Sequence, residues 1–207
     1  MIIAVDGPTA SGKGTIAKAL AAHFGLPHLD TGLLYRAVGR QVELVGGDPD
    51  DEAVAFAACD FADDLLTDEA LRSEIVGGLA SRVSIHPAVR RALFERQRAF
   101  ATQPGGAVLD GRDIGTVIAP EAEVKLCVTA SVEARAQRRF TEMRKRGEAV
   151  TLAAIEKDLR RRDERDTGRA DAPLRQADGA LVLDNSGVSE EDSFKMALNL
   201  IAQSLSD

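Results

Sequence analysis

The sequence predicts an α/β fold in which a parallel five-stranded sheet is flanked by helices. Five short segments, most of them apolar (residues 1–6, 26–30, 107–110, 124–128 and 180–183), are too short for helices and suit strands buried on both faces. Longer segments with helical spacing separate them, as the crossovers between parallel strands require. The composition agrees. Of 207 residues, 44% are apolar and only 4% aromatic, with no Trp, so Ala, Val, Ile and Leu must build the core.

The first strand ends at Asp6 in a Gly-rich turn, and Ile16, Ala19, Leu20 and Phe24 then recur at helical spacing over residues 15–24. After the second strand, a helix over residues 33–44 stops at Gly46-Gly47-Asp48-Pro49. Helices are predicted at 52–58, 69–79 and 87–101, the last with Pro in its first turn. Beyond Pro104-Gly105-Gly106 come the third and fourth strands, then helices at 130–146 and 152–166 separated by Gly147. A last strand and a helix over 190–205 close the chain. Residues 1–30 and 104–207 are expected to form the core domain. Residues 31–103 are expected to form a mostly helical insertion.

Charge narrows the function classes. Twenty-six basic residues against 33 acidic ones leave a formal charge of −7, without the broad basic surface that nucleic-acid and anionic-membrane binders use. The longest apolar run, residues 53–59, has seven residues, and a bilayer helix needs about twenty. Neither nucleic acid nor a membrane is an expected partner. Asp6 follows the first apolar residues at once, so no secretory signal is expected, and the expected location is cytoplasmic. A monomer is the expected state. Cys59 and Cys127 lack CxxC spacing, and His23, His28 and His86 lack metal-ligand grouping. The basic residues are themselves uneven, 20 Arg against 6 Lys, and Arg grips phosphates and carboxylates at two points. Between Ser131 and Arg169 basic residues outnumber acidic ones by four. Helix-surface ion pairs and a local anion site both account for such an excess.

Gly7-Pro8-Thr9-Ala10-Ser11-Gly12-Lys13-Gly14-Thr15 follows the first strand and opens the first helix. Glycines let backbone N–H groups converge on a phosphate, the helix N-terminus adds partial positive charge, and Lys13 reaches the outer phosphates. The fold class sharpens to P-loop NTPase-like. Gly14 stands where the usual pattern has Ser or Thr, so Mg²⁺ is expected to be held more through phosphates and water than by a loop hydroxyl. A P-loop alone leaves motors, switches and kinases open. No Asn-Lys-x-Asp guanine reader occurs and the chain is small for a motor, which leaves a kinase for a small acceptor. A nucleotide-dependent switch is the reading from another class.

Gly12-Lys13-Gly14-Thr15 resembles the loop of nucleoside monophosphate kinases. Four further segments resemble bacterial-type cytidylate kinases. They are Leu29-Asp30-Thr31-Gly32-Leu33-Leu34-Tyr35-Arg36, Ser81 with residues 87–97, Asp110-Gly111-Arg112-Asp113-Ile114-Gly115-Thr116, and the stretch from Arg162-Asp163-Glu164-Arg165-Asp166 to Leu174. The resemblance covers essentially the whole chain. It implies transfer of the γ-phosphoryl group of ATP, with Mg²⁺, to CMP and dCMP; another small nucleotide or a hydroxy acid is the alternative acceptor. It implies that Arg36, Arg112 and Arg169 bind the acceptor phosphate, with Lys13, Arg112 and Arg169 acting on the transferred group. Ser81, Arg90 and Asp113 match the cytosine contacts, and Arg162 and Asp166 the sugar contacts. Thr31 and Tyr35 match the acceptor site, where Tyr35 alternatively only packs. Asp110 resembles the acid near Mg²⁺ in phosphate-loop proteins, a strand-end turn residue being the equal alternative. Residues 135–165 resemble the family's lid, expected within about 144–165, with Arg138, Arg139 and Arg165 as unranked candidates for touching the donor, and the 31–103 insertion resembles the family's monophosphate-binding part.

The residue chemistry is consistent with those assignments. Three guanidinium groups from distant segments suit a phosphate carrying about −1.5 to −2. A carboxylate at Asp113 accepts from the cytosine N4 amino group while Arg and Ser donate to O2 and N3. Facing uracil O4 it would stay unpaired. The rival role for Asp113 is a helix cap or ion partner. A phosphate acceptor is already ionised, so alignment and charge cancellation remain to be supplied, and no general base is needed.

Overall fold

The structure is a computed structural model that describes residues 1–204. Strands β1 (Ile2–Asp6), β2 (His28–Asp30), β3 (Ala107–Gly111), β4 (Val124–Thr129) and β5 (Leu181–Asp184) form one parallel sheet in the order β2-β3-β1-β4-β5. The helices are α1 (Lys13–Phe24), α2 (Thr31–Leu44), α3 (Glu52–Ala57), α4 (Glu74–Val83), α5 (Pro87–Ala101), α6 (Val132–Lys145), α7 (Leu152–Gly168) and α8 (Glu190–Ser204).

Central strand β1 divides its side chains between two cores, as strand alternation dictates. Ile3 and Val5 pack with Ile16 and Leu20 of α1 and Ala197 and Ile201 of α8, whereas Ala4 packs with Leu109, Ile114 and the end of α5. Between β2 and β3, helices α2 to α5 surround a further core that includes Leu34, Val38, Val42, Ala55, Val83 and Leu93. There α2 and α4 approach so closely that a Cβ on Gly39 would lie 2.9 Å from the Ala80 backbone nitrogen. Helices α6 and α7 pair around Ala136, Met143, Ile155 and Leu159.

Two local features depart from the expected elements. The helix expected at 69–79 is instead a 3₁₀ turn, Glu69–Arg72, followed by α4. Ser73 causes the break: it is extended (φ −71°, ψ 157°) and its hydroxyl caps α4 by accepting from Val76 N at 3.2 Å. Ile114–Ile118 forms a single π turn, closed by Ile118 N donating to Asp113 O at 3.2 Å and Ala119 N to Ile114 O at 2.7 Å. The helix expected to end at residue 205 is observed to Ser204, and residue 205 lies outside the described residues. No helix among the described residues is long and apolar enough to cross a membrane.

Candidate active site

The phosphate loop leaves the carboxyl end of β1 and turns into α1 at Gly12, whose φ of +89° favours glycine. A Cβ there would also collide with the Asn185 amide. No side chain caps α1, so the first-turn N–H groups are left for a ligand. Thr9, Ala10, Lys13 and Gly14 border a cavity of about 250 Å³; Gly7, Pro8, Ser11, Gly12 and Thr15 shape the loop without lining it.

The same cavity is lined by Thr31, Tyr35, Arg36, Ser81, Arg90, Asp110, Arg112, Asp113, Arg162, Asp166 and Arg169. These residues come from α2, α4, α5, the end of β3 and the turn after it, and α7 with the Arg169 that follows it, so the fold gathers every acceptor-side residue expected from the sequence. Seven cationic side chains line the cavity against four carboxylates, a surplus of three positive charges in a chain of net charge −7. Such a surplus suits an anion.

Most of these side chains are held by specific partners. Arg112 donates through Nε to Asp166 Oδ2 at 2.7 Å and through Nη2 to Thr9 Oγ1 at 2.6 Å, joining α7 to the loop. Burial works to raise the Asp166 carboxyl, but Arg112, Arg169 and Lys13 outweigh it and hold it below the usual range. Arg36 Nη1 donates to the carbonyls of Leu71 at 2.6 Å and Ser73 at 3.0 Å. Arg169 Nη2 donates to Ala172 O at 3.0 Å, while its Nε is buried without a partner. Burial, then Arg139 beside Arg36 and Arg90 beside Arg169, lowers both guanidinium groups. Arg90 makes a buried ion pair with Asp113 Oδ2 and lies 5.6 Å from the Tyr35 ring centroid. Thr31 Oγ1 donates to Asp110 O at 2.8 Å, and Ser81 Oγ accepts from Arg165 at 2.5 Å.

The model of the family described as Cytidylate kinase matches residues 3–203. The chain belongs to the cytidylate kinase family. It is 56% identical over 202 residues to a cytidylate kinase of Methylocella silvestris, covering 97% of this chain and 94% of that protein. Identity is 54% to a Rhodopseudomonas palustris cytidylate kinase, over 97% of this chain and 95% of that one. For a Brucella suis cytidylate kinase it is 52%, over 99% and 94%. An uncharacterised Eubacterium ventriosum protein of known structure shares the fold, at TM-score 0.56 and 16% identity over 98% of both chains.

In this cytidylate kinase family member the three arginines unranked by sequence part company. Arg139 lines the cavity and pairs with Glu74 of α4. Arg165 is bonded to Ser81. Arg138 donates to the Asn185 carbonyl, and its Nη1 lies 3.8 Å from where a Cβ on Gly12 would stand. Sequence reasoning assigned no role to Asp30, Asp6, His28, Glu74 or Asn185. Asp30 lines the cavity and caps α2 by accepting from Gly32 N at 3.0 Å, a capping position visible in the sequence. His28 Nε2 lies 2.7 Å from Asp110 Oδ1. The Asn185 amide donates to Ser11 O at 2.7 Å, bracing the loop.

Proposed function

We propose that this chain transfers the γ-phosphoryl group of ATP to CMP and dCMP, releasing ADP and CDP or dCDP. One observation carries the reading: Arg36, Arg112 and Arg169 line a single cavity that Lys13 and the phosphate loop also line. A donor phosphate chain on the loop then faces an acceptor phosphate among the guanidinium groups.

The acceptor phosphate sits between Arg36, Arg112 and Arg169, where the unpartnered Arg169 Nε finds an acceptor. Arg112, bonded to Thr9 of the loop, stands between the two phosphates and follows the charge as it moves. Lys13 holds the outer donor phosphates. For the base, Arg90 occupies Asp113 Oδ2 and leaves Oδ1 to accept from the cytosine amino group. Ser81 and the remaining Arg90 donors face the pyrimidine acceptors, while Asp166 and Arg162 hold the sugar. The two substrates are already ionised, so the residues align and neutralise rather than move a proton.

Mg²⁺ fits the donor set beside the loop. Asp110 and Asp30 offer hard carboxylate oxygens next to Lys13, and Asp110 Oδ2 lies 3.6 Å from where a Cβ on Gly14 would stand. Among the described residues no group of three or more His, Cys, Asp or Glu is placed to hold a metal ion. Asp110, with Asp30, would therefore share the ion with nucleotide phosphates, as Mg²⁺ prefers. When bound, the ion neutralises phosphate oxygens.

A coupled ADP-release assay over CMP, dCMP, UMP, AMP and shikimate tests the reading. CMP and dCMP are expected to give the highest kcat/KM; a higher value for UMP, AMP or shikimate would refute the base assignment. Asp113→Ala is expected to lower CMP kcat/KM by about 10-fold or more while leaving ATP binding intact. An equal loss with every acceptor would make Asp113 purely structural.

A further inference from the structure

We infer that Asp6 is a positioning residue for base selection, holding from the central strand the backbone of the turn that carries Arg112 and Asp113. The inference rests on the CMP-kinase reading above. Asp6 ends β1 one residue before the phosphate loop and is 6% exposed. Its two carboxylate oxygens each accept a backbone N–H, Oδ1 from Ile114 at 2.9 Å and Oδ2 from Gly115 at 2.8 Å. Those amides open the Ile114–Ile118 turn, and the first N–H groups of a helical turn have no partner within it. Asp113 immediately precedes them, and its own carbonyl closes the turn.

The seat is tight. A Cβ on Gly111 would lie 2.7 Å from Thr31 Oγ1, and one on Gly115 would lie 3.2 Å from Ala177 Cβ. A shift of the turn therefore moves both Asp113, with its Arg90 pair, and Arg112, with its Thr9 and Asp166 bonds. Burial pushes the Asp6 carboxyl up to about 6; Asp113 adds to the rise, while the Gly115 and Ile114 amides and Lys13 oppose it. Its charge thus weakens the fold at neutral pH, and a group kept at that expense is explained by the turn it holds.

Asp6→Asn is the test, because an amide keeps the shape but presents only one acceptor and turns its NH₂ group toward a second N–H. The ratio of kcat/KM for CMP to that for UMP is expected to fall about 10-fold, with KM for CMP rising and KM for ATP staying within about 2-fold. An unchanged ratio, or equal loss toward ATP and CMP, overturns the inference. If the wild-type protein prefers another monophosphate, the CMP reading fails while the same ratio for the preferred base still tests Asp6. Amide exchange in the nucleotide-free wild type gives a measurement that does not depend on the variant folding. The Ile114 and Gly115 amides are expected to exchange at least about 100-fold slower than in an unstructured peptide, and free exchange there overturns the inference.

Discussion

Lys13 carries a pH signature that separates binding from turnover. Burial first, and then Arg112, lowers its ammonium to about 8, against the pull of Asp110, Asp30 and Asp166. A neutral lysine no longer meets a phosphate, so kcat/KM for ATP is expected to fall along an alkaline limb near pH 8. Bound phosphate restores the charge, and kcat is expected to hold to higher pH. Initial rates between pH 6 and 10 at low and saturating ATP check this; identical limbs in both parameters would contradict it. The stability contribution has the opposite sense. Between about 8 and the ordinary 10.5 the folded chain has released this proton and the unfolded chain still binds it, so Lys13 makes stability rise with pH through that window.

At the scale of elements, the α2–α4 contact positions Arg36 against the cavity, and two glycines on it make different predictions. Gly39→Ala would drive a methyl group into the Ala80 backbone and the Leu79 side chain. A loss of about 1–3 kcal/mol is expected from urea unfolding. Gly77 lies inside α4, where Ala is worth up to about 1 kcal/mol more than Gly. Its added Cβ would stand 3.0 Å from Nη2 of Arg36, whose Nη1 is already bonded to the Leu71 and Ser73 carbonyls. Gly77→Ala is therefore expected to keep or gain stability while KM for CMP rises several-fold; unchanged KM would mean Arg36 does not meet the acceptor. This arrangement was hard to read in the sequence, since Ser73 ends one turn and caps the next helix within an otherwise continuous helical pattern.

At the scale of the whole molecule, a net-negative chain builds a net-positive cavity beside its phosphate loop. We propose that the α6–α7 pair and the 31–103 insertion close over the two nucleotides, excluding water from the γ-phosphate. Solution scattering is expected to show a smaller radius of gyration with CMP and an unreactive ATP analogue together, and an unchanged radius would argue against closure. The phosphate loop was legible because its chemistry lies in nine consecutive residues next to a strand and a helix. Four strands were legible from short apolar runs, and β2, His28–Asp30, only as a short segment between two helical patterns. Arg36, Arg112 and Arg169 were legible only through family resemblance, because nothing local says that distant arginines share a cavity. Asp6 was illegible, since its partners Ile114 and Gly115 lie 108 and 109 positions away and the π turn they open has no sequence signal. The most direct test is a crystal structure with CMP bound. Its phosphate is expected within about 3 Å of the guanidinium groups of Arg36, Arg112 and Arg169, with the cytosine amino group on Asp113. CMP seated elsewhere, or with its phosphate turned away from Lys13, would contradict the account.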